Sequence, residues 1–127
     1  MNADSKILRK DECYAIVGAA LALHKELGSG FLEAVYQEGL ALAFARAQIP
    51  FEAQKELKIN LWGTELKKTY VADFVVFGDI IVEIKAIKSI SQTEEAQIFN
   101  YLKAAGAKVG LLINFGAPRL ETKRFVL

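Results

Sequence analysis

Tyr70-Val71-Ala72-Asp73-Phe74-Val75-Val76-Phe77 and, beyond a Gly78-Asp79 turn, Ile80-Ile81-Val82-Glu83-Ile84-Lys85-Ala86-Ile87 are the two stretches that decide how this chain folds. Both are rich in β-branched and aromatic residues and read as buried strands. Each nevertheless contains ionisable residues: Asp73 in the first, Glu83 and Lys85 in the second. Taking a carboxylate or an ammonium out of water costs several kcal/mol unless it is paired or bound to a metal, so such residues need a reason to be there. Side chains alternate along a strand, which puts Glu83 and Lys85 on one face. A short turn at Gly78-Asp79 folds the two stretches into a hairpin and carries Asp73 to their side. Two carboxylates and one amine converge on a small sheet.

Working outwards, Ile16, Ala20, Leu23 and Leu27 recur at helical spacing from about Asp11, and Gly28-Ser29-Gly30 ends that helix. A second helix is expected from about Phe31 to Gln48, before Pro50. From Phe51 to Leu61 the chain alternates, with Phe51, Ala53, Leu57, Ile59 and Leu61 on one side of a half-exposed strand and polar residues on the other. Trp62-Gly63-Thr64-Glu65 reads as the turn that follows. Ser91-Gln92-Thr93-Glu94 has the form of a capping box opening a helix that runs to about Ala105 and closes at Gly106. Val109 to Phe115 is a strand buried on both faces, and Arg124 to Leu127 adds a final edge strand. With a strand–helix–strand return late in the chain, the order implies an α/β fold: one domain over residues 1–127, a mixed sheet flanked by helices.

With 127 residues, 53% of them hydrophobic, the chain can bury a substantial core. No apolar stretch reaches the ~18 residues of a membrane span, and Met1 to Lys10 lacks the apolar centre of a secretory signal. A soluble cytoplasmic protein is expected. Cys13, the only cysteine, rules out an internal disulfide, a cysteine zinc site and an iron–sulfur cluster, and reads as a buried helix residue. The net charge of +1 argues against strong unaided polyanion binding. The charge is uneven, however: residues 1–53 carry five Lys/Arg against seven Asp/Glu, and residues 54–127 carry eleven against eight. If a cation covered Glu33, Asp73 and Glu83, then Lys67, Lys68, Lys88, Lys103, Lys108, Arg119, Lys123 and Arg124 would be left to track phosphates. His24 is placed where an imidazolium meets the C-terminal end of a helix. Asp79 serves its turn, and Trp62 packs on its own turn unless it is exposed to stack on a base. There is no Ser/His/Asp nucleophile pattern and no phosphate-binding G-x-x-x-x-G-K-[ST] loop.

Asp73 followed by Glu83-Ile84-Lys85 has the form D-x(n)-E-x-K, carried on the second and third strands of a meander that follows a helix and precedes a helix and a strand. This resembles the catalytic signature of the PD-(D/E)XK nuclease superfamily, whose restriction-endonuclease-like core runs α-β-β-β-α-β. Gln97-Ile98-Phe99-Asn100-Tyr101 is similar to the Q-x-x-x-Y motif of its exonuclease-like branches. Gly30-Phe31-Leu32-Glu33-Ala34-Val35-Tyr36 matches G-x-x-E-x-x-Y, the signature of the GxxExxY family of small bacterial proteins placed in that superfamily. The resemblance runs from about His24 through Leu127.

It implies a metal-dependent nuclease that hydrolyses phosphodiester bonds by an activated water, with DNA favoured over RNA. The ion would be Mg²⁺, with Mn²⁺ able to substitute, because hard cations take oxygen ligands. Asp73 and Glu83 would be the primary metal ligands, with Glu33 binding directly or through water and the Ile84 carbonyl as a further ligand. Lys85 would orient the attacking water and face developing negative charge. Gln97 and Tyr101 would hold the substrate phosphate or that water, and Tyr36, one turn beyond Glu33, would fix Glu33 or touch the nucleic acid. Two other readings stand beside the nuclease: a catalytically silent nucleic-acid-binding or adaptor protein of the same fold, and an interaction module in which the acidic residues form a structural ion-pair cluster. A chain this small is expected to dimerise to grip a duplex, or to take its substrate choice from a protein partner.

Overall fold

The computed structural model describes residues 8–127. Eight elements follow one another: α1 (Lys10–Leu27), α2 (Glu33–Arg46), β1 (Phe51–Leu61), β2 (Thr64–Val76), β3 (Ile80–Lys85), α3 (Gln92–Ala105), β4 (Val109–Asn114) and β5 (Glu121–Val126). The strands form one sheet in sequence order. Pairing is antiparallel between β1 and β2 and between β2 and β3, parallel between β3 and β4, and antiparallel again between β4 and β5. The mixed sheet expected from the sequence is therefore present, with α3 as the crossover between its two parallel strands.

Two apolar layers hold the helices to the sheet. On one face, Ile16, Ala20, Tyr36, Leu40 and Phe44 of α1 and α2 pack with Phe74, Val76, Ile80, Val82, Ile84, Leu111 and Ile113. On the other, Leu102 of α3 joins Ala72, Val75 and Ile81. β4 is buried along its whole length, as a central strand covered on both faces should be. Cys13 lies in the core. The capping box is formed: Ser91 Oγ accepts from the Thr93 amide and Glu94 Oε1 accepts from the Ser91 amide, which fixes where α3 begins.

Several boundaries differ from the sequence reading. α2 begins at Glu33 rather than Phe31 and ends at Arg46, because Leu32 is extended and Gln48 has a positive φ of 58°. The last strand starts earlier than expected, with Glu121 opposite Asn114. The β1–β2 turn is only Trp62-Gly63, since Leu61 pairs directly with Thr64. Trp62 does not pack on it: the side chain is 94% exposed. Asp79 does more than make a turn, because its Oδ1 accepts from Arg9 Nε at 3.0 Å and Nη2 at 2.6 Å and so ties β3 to the start of α1. Arg124 is not free to track phosphate; its guanidinium donates to the Leu8 carbonyl. No helix among the described residues is long and apolar enough to cross a membrane.

Candidate active site

Backbone pairing between β2 and β3 runs from Val76↔Ile80 to Phe74↔Val82 and stops there. At the next step the side chains of Asp73 and Glu83 replace the ladder. The Asp73 amide donates to Glu83 Oε2 at 2.9 Å, and the Ile84 amide donates to Asp73 Oδ2 at 2.8 Å. Asp73 is released from β1 as well: the register skips Gln54 and Asp73, Gln54 has a φ of 52°, and the Asp73 carbonyl instead accepts from Gln37 Nε2 of α2 at 3.2 Å. The residue leaves the sheet without orphaning its backbone polar groups. The Lys85 carbonyl points towards β4, where it accepts from the Phe115 amide at 2.8 Å. Backbone groups alternate in direction along a strand, so the Ile84 carbonyl faces β2 and the carboxylates.

Burial sets the electrostatics. Glu83 is 8% exposed and Asp73 is half-buried. Desolvation, reinforced by the Asp73 charge, pushes the Glu83 carboxyl up to about 7. Desolvation also raises Asp73, against the pull of the Ile84 amide and the Lys85 ammonium. Glu33, the first residue of α2, is raised by its own desolvation and then by the Asp73 charge, which places it at the rim of the same cluster. Among the described residues no ion pair joins Lys85 to any of these carboxylates. Lys85 therefore acts on these carboxylates through space and not by direct contact. Lys85 Nζ instead donates to Gln97 Oε1 of α3 at 3.3 Å, close enough to the acids to favour their charged forms.

Tyr36 is a correction. Its side chain is fully buried, stacked on Phe115 with ring centroids 4.7 Å apart, and its hydroxyl donates to the Gly28 carbonyl at 2.5 Å while accepting from the Phe31 amide at 3.3 Å. No nucleic acid can reach it. It pins the loop that leads into α2 and so sets where Glu33 begins the helix. The residue that shares the Glu33 side of α2 is Gln37, four positions on, which holds Asp73. Tyr36→Phe keeps the ring stack and removes both hydrogen bonds, so a loss of about 1–2 kcal/mol in urea unfolding is expected. An unchanged midpoint would mean that the loop is held by other contacts.

Tyr101 lies flat on Tyr70, with ring centroids 3.9 Å apart. One face of its ring is thereby covered, and the residue as a whole stays half-buried. Tyr70, which the sequence reading passed over, places a buried hydroxyl beside the Glu83 carboxylate without meeting hydrogen-bond geometry there. Desolvation first, and that carboxylate second, raise the phenol far above its ordinary range. Raised acids gather at functional sites, and the cluster of Glu33, Asp73, Glu83 and Tyr70 makes this opening of the sheet the candidate site.

A family model described as the PD-(D/E)XK nuclease superfamily matches residues 10–125. The chain belongs to this superfamily. A solved structure described as the crystal structure of SSO0001 has the same fold, with a TM-score of 0.61 at 21% sequence identity. The alignment covers 96% of this chain and 62% of that one, so this chain spans less than two thirds of that protein's length. No curated protein matches the sequence.

PD-(D/E)XK nucleases typically use divalent metals. Among the described residues no three His, Cys, Asp or Glu side chains form a ready-made cage. The donor set fits a hard ion that keeps several waters: the facing carboxylates of Asp73 and Glu83 would hold it, with the Ile84 carbonyl beside them and Glu33 at the rim. Buried Glu83 and half-buried Asp73 would supply the negative charge that such an ion needs, and among the described residues neither is in a direct ion pair with Lys85.

Proposed function

We propose that this member of the superfamily is a metal-dependent nuclease of the GxxExxY branch. It hydrolyses phosphodiester bonds of nucleic acid, DNA in preference to RNA, with Mg²⁺ as its ion and Mn²⁺ as a substitute. The observation that carries this reading is the pair of facing carboxylates, fixed by the Asp73 and Ile84 amides, with Lys85 nearby on Gln97 but, among the described residues, in no direct ion pair with either. A bound divalent cation would neutralise charge on the scissile phosphate and make a water acidic enough to attack it.

The chain's own groups do the rest. Asp73 and Glu83 are oriented before any ligand arrives, so nothing need reorganise during the reaction. Lys85, held by Gln97, presents its ammonium to the attacking water and to charge developing on the phosphate. Gln97 therefore acts as the residue that positions Lys85, and Tyr101 supports Tyr70 against Glu83. Water attack at phosphorus with departure of the 3′ oxygen would leave 5′-phosphate and 3′-hydroxyl ends, as the superfamily resemblance implies.

Calorimetric titration of Mg²⁺ and Mn²⁺ into wild type and Asp73→Asn tests this, followed by incubation with labelled single-stranded, duplex and branched DNA. We expect wild type to bind metal and cut at least one substrate, and the variant to lose both. Metal binding with no cleavage of any substrate would favour the silent adaptor. No metal binding at millimolar concentration would sink the nuclease.

A further inference from the structure

Trp62 is the sole tryptophan of the chain, and at 94% it is the most exposed large apolar side chain among the described residues. It is the first of the two residues linking β1 to β2, with φ 50°, followed by Gly63 at φ 79°. Positive φ at both positions makes a type I′ turn, whose first position favours Asn, Asp or Gly. Gly63 meets that demand at no cost. Trp62 does not: a left-handed backbone disfavours a bulky side chain, and the indole, which would gain so much from burial, is left in water. Neither local conformation nor packing among the described residues accounts for tryptophan here, which points to a contact with another molecule.

The arm that carries it has the chemistry to match. β3 pairs with β2 only from Phe74 to Val76, and Leu57 and Tyr70 are the outermost hairpin residues packed into the layer under α3. Beyond them the hairpin is two-stranded. Lys58 is paired with Glu65 at 3.3 Å, while Lys67 and Lys68 are exposed and, among the described residues, outside any salt bridge. A basic stem with an aromatic tip is how single-stranded nucleic acid is gripped: ammonium groups follow the phosphates and the ring stacks on a base. From Thr64 to Asp73, β2 extends roughly 30 Å at ~3.3 Å per residue.

We infer that the β1–β2 hairpin is a second nucleic-acid contact, in which Trp62 stacks on an unpaired base roughly 30 Å, the length of the β2 arm, from the bond held at Asp73 and Glu83. This rests on the nuclease reading and narrows its substrate to duplexes bearing a single-stranded flank or a junction. An unpaired base is specified because reaching a base inside a duplex would first require unstacking it.

With one tryptophan in the chain, intrinsic fluorescence reports the hairpin tip alone. Fluorescein-labelled duplexes, blunt or with a single-stranded flank, are titrated with wild type, Trp62→Ala and Trp62→Phe in EDTA, reading both anisotropy and, for wild type, Trp emission. The expected result is quenching that tracks binding of the flanked duplex. Trp62→Ala should bind that duplex about 5-fold to 100-fold more weakly, Trp62→Phe should recover most of the loss, and kcat at saturating DNA with Mg²⁺ should be unchanged. Wild-type binding with no change in emission, or equal affinity for Trp62→Ala, would overturn this inference and leave the nuclease standing. If no DNA raises the anisotropy at low salt, this inference falls, while the nuclease reading is judged separately by metal-dependent cleavage.

Discussion

Glu83→Gln is expected to end metal-dependent cleavage while making the metal-free protein more stable, by an amount that grows with pH. The Glu83 carboxyl sits at about 7 in the fold against an ordinary 4.5, because it is desolvated and faces Asp73. Below about pH 4 the folded and unfolded chains both carry the proton, and Glu83 contributes no pH dependence. Between there and pH 7 the unfolded chain releases it first. The unfolded state then binds fewer protons than the folded one, so stability falls as pH rises, by about 3 kcal/mol in all at ~1.4 kcal/mol per pKa unit. Glutamine cannot ionise, yet its carbonyl still accepts from the Asp73 amide. Urea unfolding in EDTA should therefore give nearly equal stabilities at pH 4 and a clearly more stable variant at pH 8. Cleavage should drop by more than the ~100-fold that loss of a partner behind a metal ligand costs. In wild type, metal affinity should weaken below pH 7 as protons compete for the site. A variant less stable than wild type at pH 8 would show that Glu83 serves the fold and not a cation.

The acids were legible in the sequence because they break the apolar pattern of two strands, and a broken pattern calls for an explanation that an intact one does not. Their neighbours were harder to read for reasons that differ residue by residue. Tyr36 was placed beside Glu33 because three positions nearly close a helical turn, but the core stripe of α2 is Tyr36, Leu40 and Phe44 at intervals of four, a signal already present in the chain. Following that stripe would have put Tyr36 inside and left Gln37 beside Glu33. Gln54 carried no signal, since nothing in a glutamine announces a positive φ within a strand. Tyr70 lies in the stretch that decided the fold, yet β2 is irregular there. The pairing slips between Lys58 and Asn60 and skips Asp73 against Gln54, so strict alternation could not say which face the tyrosine takes. For Trp62 the sequence left two readings, packed on its turn or exposed to stack on a base, and only the two-residue turn shows that it is exposed.

Gly116→Ala is expected to cost the fold about 3–5 kcal/mol, although alanine is the smallest side chain that can be added. No left-handed backbone is involved, because φ at Gly116 is not positive. The difficulty is close approach: a Cβ would stand 2.3 Å from both the N and O atoms of Ile87 and 2.5 Å from the Ala86 carbonyl carbon. Neither chain can give way. Buried Asn114 clamps them, its Oδ1 accepting from the Ile87 amide at 2.9 Å and the Gly116 amide at 3.0 Å, and its Nδ2 donating to the Ile87 carbonyl at 2.9 Å and Glu121 Oε1 at 2.8 Å. The same Glu121 oxygen accepts from the Ile90 amide at 2.9 Å, one residue before the α3 cap. From the far side, His24 Nε2 lies 3.1 Å from the carbonyls of both Phe115 and Ala117 and must carry its hydrogen to serve them. Pushing residues 86–90 aside would also move the connection between Lys85 and the helix that carries Gln97, so any variant that folds should lose turnover as well as stability. Gly30→Ala is the control, since a Cβ there meets nothing within 4 Å and φ is not positive. Urea midpoints should separate the two variants widely at an unchanged slope. If both shift alike, residues 86–90 yield more readily than their hydrogen bonds indicate, and the Lys85–Gln97 contact does not depend on this crossing.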